Sequence, residues 1–358
     1  MRDESTILRH IEYGQILDHV TNGGLSLIIL TRGNPDISSV SRVYKEEKTK
    51  FVFNQHHESI WNFIVSSIRF IRKNKSKINV LVSGDPWETY WFCRFLRLVS
   101  RTNAGIQVQI HADMMDINWK KLSLANQLRF FCLNLDSKSI KNIRLVSQNQ
   151  LRSFLHRFPH LESKVFALPV PLSIMQFEFP RENIVRENLN IGFVGRVHKD
   201  RGLKSFLIVV NRLNQYGWRG QVHVVGEGPE LDSFKHSLTN ILGSSRVIFH
   251  GVKSGDQLRQ AWHSIDVLLN TSNTESYGRS IREALYYGKK VLTLQSNGII
   301  DLEEERISGQ LSIINLNNPE TWIEKLKQDG ANLTDRNYSK QIWERNRDNL
   351  FELARSWK

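Results

Sequence analysis

The chain is poor in cysteine, in acidic residues and in long apolar runs. Two cysteines in 358 residues are too few for a disulfide framework or a cysteine-rich metal site. Cys93 and Cys132 stand in apolar, aromatic stretches, which predicts two buried free thiols in a reducing compartment. No apolar run approaches the roughly 18 residues of a membrane-spanning helix, and the start of the chain lacks the apolar core of a signal peptide. These absences favour a cytoplasmic protein.

The shortage of acidic residues leaves the chain strongly basic. Lys and Arg number 49 against 36 Asp and Glu, for a net charge of +13. Such a surplus favours a polyanion, an anionic membrane surface or a phosphorylated substrate as partner. Residues 1–180 hold 24 Lys and Arg against 15 Asp and Glu, so most of the surplus lies in the first half.

Short β-branched runs alternate with amphipathic helical segments along the whole chain, which predicts α/β layers around parallel sheets. The predicted strands are 25–30, 78–82, 106–110, 143–146, 190–194, 221–225, 246–249, 265–269, 290–294 and 311–314. A proline-rich, aperiodic stretch at 169–189 indicates a boundary. We therefore predict an acceptor-side domain over 1–183, a nucleotide-sugar domain over 184–337 and a helix over 338–358 that crosses back to the first domain.

The beginning of the chain departs from the usual α/β pattern. Such a domain opens with a strand and a glycine-rich turn, but residues 5–20 have a helical pattern and the first strand begins at Leu25. Either the first domain lacks its opening strand, or the sequence is truncated at its start.

The segment 265–294 carries the strongest chemical signal. A buried strand leads into a polar loop with Glu275, then into Gly278 and a short helix with Glu283. The loop after such a strand and the first turn of the helix present free N–H groups to an anion. Ile281, Ala284 and Leu285 mark the buried helix face, and the helical spacing predicts that Glu283 lies outside the core.

This segment resembles the retaining glycosyltransferases of family 4, whose motif is E-x-F-G-x-x-x-x-E-A. Here it reads Glu275, Ser276, Tyr277, Gly278, then Glu283 and Ala284. Three further matches occur in the family's order. They are Gly195-Arg196 with Gly202 after one strand, Gly226-Glu227-Gly228-Pro229 after the next, and His250-Gly251-Val252 after a third.

The resemblance implies a GT-B fold, with two Rossmann-like domains facing a cleft, and a nucleotide-diphosphate sugar as donor substrate without a metal or other cofactor. Arg196 and Arg201 would hold the diphosphate, and Glu275 would bind the donor sugar. Glu283 would bind the ribose hydroxyls. The remaining donor-binding residues implied by the resemblance are Gly195, Val252, Ser276, Tyr277 and Gly278.

Two departures from the family pattern concern residue chemistry. Arg201 stands where the family usually has lysine, which keeps the charge but replaces a compact ammonium by a planar fork. Gly288-Lys289-Lys290-Val291 lacks the proline of the family's G-x-P-V. Neither change removes a group that the chemistry requires.

The first domain offers fewer candidates. His111 follows the strand 106–110, where the family often places a histidine facing the donor sugar; a locally bonded histidine at a strand end is the alternative. The loop Ser83 to Trp87 fits the acceptor side and a plain turn equally well.

Segments 61–77, 91–101 and 119–131 mix Trp, Phe and Leu with Lys and Arg at near-helical spacing. Basic amphipathic helices of this kind bind anionic membrane surfaces, and a lipid-linked acceptor would fit such a site; ordinary helices with a solvated basic face are the alternative. No nucleic-acid-binding motif occurs, and the basic residues are dispersed, so nucleic acid is not an expected partner.

The sequence therefore predicts a retaining, metal-independent hexosyltransferase that moves a sugar to a glycan or lipid-linked acceptor, as in polysaccharide biosynthesis. The predicted location is the cytoplasm, with peripheral contact at the inner membrane face. Two alternatives remain: a GT-B sugar-nucleotide epimerase, and a catalytically silent scaffold subunit. The donor base, the sugar, the acceptor and the oligomeric state are not determined.

Overall fold

The computed structural model describes most of the chain, with gaps. The described residues are 13–14, 16–24, 27–31, 50–53, 59–172, 188–253, 255–302, 309–318, 322, 324–326 and 336–357. Contacts divide the chain into two compact units. Unit 1 comprises Met1–Ala112, Gln127–Pro171 and Arg347–Lys358, and unit 2 comprises Asp113–Asn126 and Leu172–Asn346.

Unit 1 contains two parallel sheets. The strands β1 and β2 pair with each other, and a second sheet has the order β3-β4-β5-β6. These strands are β1 (Ile28–Thr31), β2 (Lys50–Phe53), β3 (Val80–Ser83), β4 (Gly105–Ile110), β5 (Ile140–Leu145) and β6 (Val165–Ala167).

Helices link the consecutive strands of the four-stranded sheet, as parallel pairing requires, and a further helix lies between β2 and β3 in the chain. They are α1 (Ile60–Asn74), α2 (Glu88–Ser100), α4 (Leu124–Phe131) and α5 (Gln148–Arg157), with the short α3 (Ile117–Lys121) preceding α4. The α3 residues and the first residues of α4 group with unit 2. The end of the chain completes the unit 1 core, where Trp357 and Leu353 pack with Leu17 and Leu168.

Unit 2 is built on one six-stranded parallel sheet. Its order is β12-β11-β10-β7-β8-β9, so the chain order reverses between β7 and β10. The strands are β7 (Ile191–Val194), β8 (Val222–Val225), β9 (Val247–Gly251), β10 (Val267–Asn270), β11 (Lys290–Thr293) and β12 (Leu311–Ile313). This is the order of a Rossmann-like sheet, which binds ligands at the carboxyl ends of the strands where the order reverses.

The helices of unit 2 bury apolar stripes against that sheet. In α6 the buried residues Leu203, Phe206, Val210 and Leu213 recur at helical spacing. The helices are α6 (Leu203–Gln215), α7 (Leu231–Leu242), α8 (Gly255–His263), α9 (Arg279–Tyr286) and α10 (Arg336–Ser356), whose last residues group with unit 1.

The structure confirms the predicted α/β class with parallel sheets and all ten predicted strands, within a few residues at their ends. It adds β2 and β6, which were not predicted. The first predicted strand is β1, and its partner in the structure is β2. Much of the predicted helical stretch 5–20 lies outside the described residues.

Candidate functional site

The point where the strand order of unit 2 reverses lies between β7 and β10, which pair directly. The loop after β7 carries Arg196 and Arg201, and the loop after β10 carries Glu275. Both loops leave the carboxyl ends of their strands, so the topology places the predicted donor residues of the two loops at one edge of the sheet.

Gly202 brings the two loops together. Its φ is +67°, and a Cβ atom there would lie 1.9 Å from the carbonyl oxygen of Thr271. The hydroxyl of Thr271 donates to the Gly202 carbonyl over 2.9 Å, and that of Ser272 donates to the Asp200 carbonyl over 3.2 Å. Only glycine allows this close backbone approach.

Arg201 and Glu275 form an ion pair across these loops, with 2.5 Å between Nη1 and Oε2. The Glu275 side chain is 11% exposed and that of Arg201 40% exposed. Arg196, on the same loop as Arg201, is exposed. The arrangement supplies guanidinium groups for an anion and holds one carboxylate beside them.

The loop from Glu275 to Gly278 is fixed at several points. The Gly278 N–H donates to Glu275 Oε1 over 3.2 Å, and the Gly298 N–H donates to the Glu275 carbonyl over 2.6 Å. Arg282 donates from Nη1 to the carbonyls of Tyr277 and Gly298, and its guanidinium lies 3.9 Å from the centre of the Tyr277 ring. The loop is therefore held against the turn Asn297–Ile299.

Gly278 begins α9 as its N-cap, with φ +73°. Ser276 and Tyr277, just before it, are half-buried. The first N–H groups of a helix have no partner within the helix, and the helix dipole favours an anion there. The first turn of α9 therefore presents hydrogen-bond donors beside the loop that holds Glu275.

The prediction that Glu283 lies outside the core is wrong, because Glu283 is buried with 5% exposure. Ile281, Ala284 and Leu285 face the core as predicted. The second side of α9 is covered as well, since Ser339 of α10 donates to the Tyr286 carbonyl and Tyr286 packs beside Leu172. Arg279 lies 3.3 Å from the Glu283 carboxylate and compensates its buried charge.

The turns after β7, β8 and β9 are joined by backbone hydrogen bonds. Gly195 donates to Val225 and Gly226 donates to Gly251. A Cβ at Gly226 would lie 2.0 Å from the Gly195 carbonyl oxygen, so glycine is required there. Val252, immediately after β9, is exposed, and its assignment to the base stays a prediction.

A histidine pair lies beneath the turn after β9. The His223 Nδ1 and His250 Nε2 atoms are 3.0 Å apart, and His223 is buried. Burial, with a smaller contribution from Lys253, lowers the pKa of His250. The neutral imidazole of His250 is therefore favoured next to Val252.

A small pocket lies within unit 2 beside these loops. It is lined by Val194, Arg201, Asn270 and Ser280, together with apolar strand residues. The amide nitrogen of Asn270 is buried there without a hydrogen-bond partner. The sequence analysis did not identify Asn270, Ser280 and Arg282 as site residues. Their positions, at the polar end of β10 and in the first turn of α9, could have indicated them.

His111 lies in unit 1, where it follows β4 and is exposed; its assignment to the donor sugar stays a prediction. In the loop Ser83 to Trp87, Asp85 accepts hydrogen bonds from the N–H groups of Trp87 and Thr89. Asp85 thus stabilises the start of α2, in agreement with a plain turn.

The two cysteines differ from each other. Cys93 is buried as predicted, and burial raises the pKa of its thiol to about 12. Cys132 is exposed, so its predicted burial is wrong. It follows α4, a helix in which no residue is buried, and its apolar neighbours therefore did not indicate a core.

The described residues contain no group of three or more His, Cys, Asp and Glu side chains placed to hold a metal ion. In the same part of the chain, no helix combines the length and the apolar composition needed to cross a membrane.

One family model matches the part of the chain that contains these loops. It covers residues 175–347 and is described as glycosyl transferases group 1. Residues 175–347 are therefore similar to this family. The group 1 domain includes the loops after β7 and β10, the helix α9 and Glu283.

Curated relatives match about a third of this chain. The sulfoquinovosyl transferase SQD2 of Arabidopsis thaliana is 27% identical over 135 residues, which are 37% of this chain and 25% of that protein. A GDP-mannose-dependent alpha-mannosyltransferase of Corynebacterium glutamicum is 26% identical over 34% of this chain and 27% of that protein. The matched part thus spans about a quarter of each relative's length.

Solved structures resemble most of the chain. Anabaena Alr3699/HepE in complex with UDP-glucose has a TM-score of 0.67 and 15% identity, and the match covers 96% of this chain and 95% of that one. The pneumococcal O-GlcNAc transferase GtfA in complex with UDP and GlcNAc has a TM-score of 0.63, at 15% identity over 86% of this chain and 63% of that one. The likeness confirms the predicted GT-B fold.

Proposed function

We propose that this chain is a retaining glycosyltransferase that uses a nucleotide-diphosphate sugar as donor and needs neither a metal ion nor another cofactor. The observation that supports this most is the arrangement in unit 2, where Arg201, Glu275 and the start of α9 meet at the strand reversal. The family of residues 175–347 supports the same activity.

The diphosphate of the donor would lie against Arg196, Arg201 and the N–H groups that begin α9. Negative charge builds on the leaving diphosphate as the bond to the sugar breaks, and fixed positive groups stabilise that charge. A guanidinium has five N–H donors, so Arg201 can keep its bond to Glu275 while it binds a phosphate oxygen. These groups take the role that a metal ion would otherwise have.

The sugar and the ribose would each meet a carboxylate. Glu275 lies on the loop next to the diphosphate position and would accept hydrogen bonds from hydroxyls of the donor sugar. Glu283, one turn into α9 and beside Arg279, would accept them from the ribose. Val252 and its backbone would contact the base, with Gly195, Ser276 and Tyr277 completing the donor site.

The acceptor would be a glycan or a lipid-linked sugar held by unit 1, with His111 directed to the donor sugar. The proposed setting is the cytoplasm, in the assembly of a polysaccharide. No carboxylate nucleophile is assigned, because attack on the donor's leaving face, assisted by the departing phosphate, gives retention without one.

A thermal-shift panel of nucleotides and nucleotide sugars tests the donor site. A ligand that binds only the folded protein raises its stability, by about 2.7 kcal/mol at a hundred times its Kd. We expect one nucleotide class to stabilise the protein. Glu283→Gln is expected to lower the affinity for that nucleotide about ten-fold or more, the usual loss for a charged hydrogen-bond acceptor, and so to reduce the thermal shift.

Asp256→Ala is the matched control, because Asp256 is an exposed carboxylate of unit 2 and its loss leaves the ligand response unchanged. Glutamine at 283 retains the size of the side chain and an acceptor for Arg279, so folding is preserved. If no nucleotide stabilises the wild-type protein, the donor-site assignment is incorrect.

Product stereochemistry tests the reaction class. With the stabilising donor, sugar released by slow hydrolysis or transferred to an acceptor is expected to keep the donor's anomeric configuration, which proton NMR measures directly. Inversion contradicts the retaining mechanism, conversion to an epimeric nucleotide sugar favours an epimerase, and donor binding without any turnover favours a silent subunit.

A further inference from the structure

The outer face of three helices in unit 1 is unusually apolar. Six large apolar side chains there are 44–83% exposed: Trp61 on α1, Trp91, Phe95 and Leu98 on α2, and Leu128 and Phe131 on α4. We call these six residues the apolar face. Large apolar side chains grouped in this way on a folded protein mark a binding surface.

The helices that carry the apolar face lie side by side. The rings of Phe63 on α1 and Phe92 on α2 stack at 5.5 Å, and Arg72 near the end of α1 donates to the Val99 carbonyl near the end of α2. At the other end of α2, the indole of its N-cap residue Trp87 donates to the Arg129 carbonyl of α4. The exposed residues therefore belong to one surface.

On α1 and α2, the residues of the apolar face lie on the side of the helix that is turned away from the core. In α2, the buried residues include Cys93 and Leu96, and Trp91, Phe95 and Leu98 lie on the opposite side at spacings of four and three residues. In α1, Trp61 continues along the same side of the helix to Arg69 and Arg72, both exposed.

The apolar face is framed by positive charge. Residues 59–101 contain eight Lys and Arg but only Asp85 and Glu88 as carboxylates. Asp85 accepts hydrogen bonds at the start of α2, and Glu88 pairs with Arg129, which lowers the pKa of that carboxyl. The Glu88 charge is thus paired within the protein. One of the eight cations is paired as well, since Arg94 lies 3.3 Å from the Asp136 carboxylate, and the others remain in excess.

We propose that the apolar face docks on an anionic lipid surface. Tryptophan prefers the boundary between lipid and water, long basic side chains reach from an apolar surface to headgroups, and anionic lipids attract clustered cations. A soluble protein partner would need matching acidic groups around an apolar centre, whereas an anionic bilayer supplies both over an extended area.

Co-sedimentation of the full chain with vesicles tests this proposal. We expect binding to phosphatidylcholine vesicles with 30% phosphatidylglycerol to exceed binding to pure phosphatidylcholine by about ten-fold or more, and to weaken in 0.5 M salt because salt screens exposed charges. The variant Trp91→Ser/Phe95→Ser/Leu98→Ser is expected to lose at least about ten-fold in affinity, since it removes three insertable side chains.

The charge contribution is tested separately with Arg69→Gln/Lys73→Gln, which is expected to weaken binding to anionic vesicles and leave the weak binding to neutral vesicles unchanged. Ile208→Ser/Tyr216→Ser is the control, because these residues are about equally exposed but lie in unit 2. Thermal melts and the nucleotide response show that each variant is folded, and they separate this proposal from the proposed enzymatic function.

Three results would overturn the proposal. They are equal binding to neutral and anionic vesicles, equal losses in the apolar-face and control variants, and a stable dimer by light scattering that the apolar-face variant converts to a monomer without a change in lipid binding. The last result would assign the apolar face to a second copy of the chain.

Discussion

Arg282 has an unusual position for a charged side chain. It lies in α9 between the buried residues Ile281 and Glu283, and its guanidinium bonds two backbone carbonyls, of Tyr277 and Gly298, that belong to different turns. Because the Gly298 N–H also bonds the Glu275 carbonyl, Arg282 fixes the loop that carries Glu275. It is a positioning residue in the proposed donor site.

Replacing Arg282 by methionine is therefore expected to cost about 1–3 kcal/mol of stability, because the carbonyls lose a charged donor, and to weaken donor binding. Arg282→Lys should retain only part of the donor affinity, since an ammonium lacks the planar fork. Calorimetric titration with the stabilising nucleotide sugar measures this affinity, and Lys204→Met on the exposed side of α6 is the control. Full donor affinity in Arg282→Met would show that the loop does not need this support.

The pair of His223 and His250 predicts a dependence of stability on pH. The pKa of His250 is lowered in the folded state, so as pH falls through about 6.5 the unfolded chain takes up a proton first. The contribution of His250 to stability is present above that pH and is lost as pH falls toward the lowered folded pKa.

Urea unfolding between pH 7.5 and 5.5 measures this effect. The loss of stability with falling pH is expected to be smaller in His250→Gln than in the wild-type protein, and unchanged in His236→Gln, which alters an exposed histidine of α7. Identical pH profiles for His250→Gln and wild type would contradict the prediction.

The sequence predicted burial correctly for α9 residues that face the sheet. It was wrong for Glu283, which a second packing partner buries on another side of the helix. Ile281, Ala284 and Leu285 face the sheet as their spacing predicts. Glu283 was misjudged because α10 and Leu172, distant in the sequence, cover the other side of α9. Helical spacing contains no information about such a neighbour.

At the scale of elements, glycines allow the strand-end loops of unit 2 to touch. Gly202 and Gly226 each lie with a backbone carbonyl where their Cβ atom would be. The motifs that suggested a donor site are thus also the positions at which two backbones meet. The site and the packing of the loops depend on the same residues.

Gly202→Ala is expected to lower the stability of the protein by about 2–3 kcal/mol and to weaken nucleotide binding, because Thr271 must move. Gly217→Ala is the matched control: Gly217 also has a positive φ, +89°, but no atom lies within 4 Å of its Cβ position. Gly217→Ala should lower the free energy of unfolding by only about 1–2 kcal/mol, because it introduces backbone strain, and nucleotide binding should stay intact. Equal effects of the two substitutions on binding would refute the role assigned to the loop contact.

Strands were predictable because central strands of parallel sheets are buried on both faces and therefore form continuous apolar runs. The strands that escaped prediction are short. β2 begins with Lys50, in a segment rich in charge, and β6 contains three residues. Their pairing with β1 and β5 is set by tertiary context, which outweighs such weak local signals.

At the scale of the whole molecule, the order of the chain differs from the grouping of its contacts. The segment Asp113–Asn126 groups with unit 2, although the chain on either side belongs to unit 1. Within unit 2, Asn297 donates to the Asp113 carboxylate over 2.8 Å, and burial raises the pKa of Asp113. A domain boundary drawn at one position in the sequence cannot assign Asp113–Asn126 to unit 2, since the contacts that group this segment there join residues far apart in the chain.

Residues 347–358 pack in unit 1, although unit 2 separates them in the sequence from the rest of that unit. Trp357 is buried, its indole donates to Gln107 of the central strand β4 over 2.6 Å, and its ring meets that of Tyr13. Trp357→Ala is therefore expected to cost about 3–5 kcal/mol, and the loss should fall on unit 1. Hydrogen exchange should show lost protection in β4 but not in β8, and the nucleotide response of unit 2 should persist.

Arg355→Ala is the control, because Arg355 lies on the same segment and is exposed, so β4 should stay protected. If Trp357→Ala reduces protection equally in β4 and β8, the two units unfold together and the end of the chain stabilises both. Selective loss in β4 would instead mean that unit 1, which carries the apolar face, reaches its full stability only when residues 347–358 are packed on it.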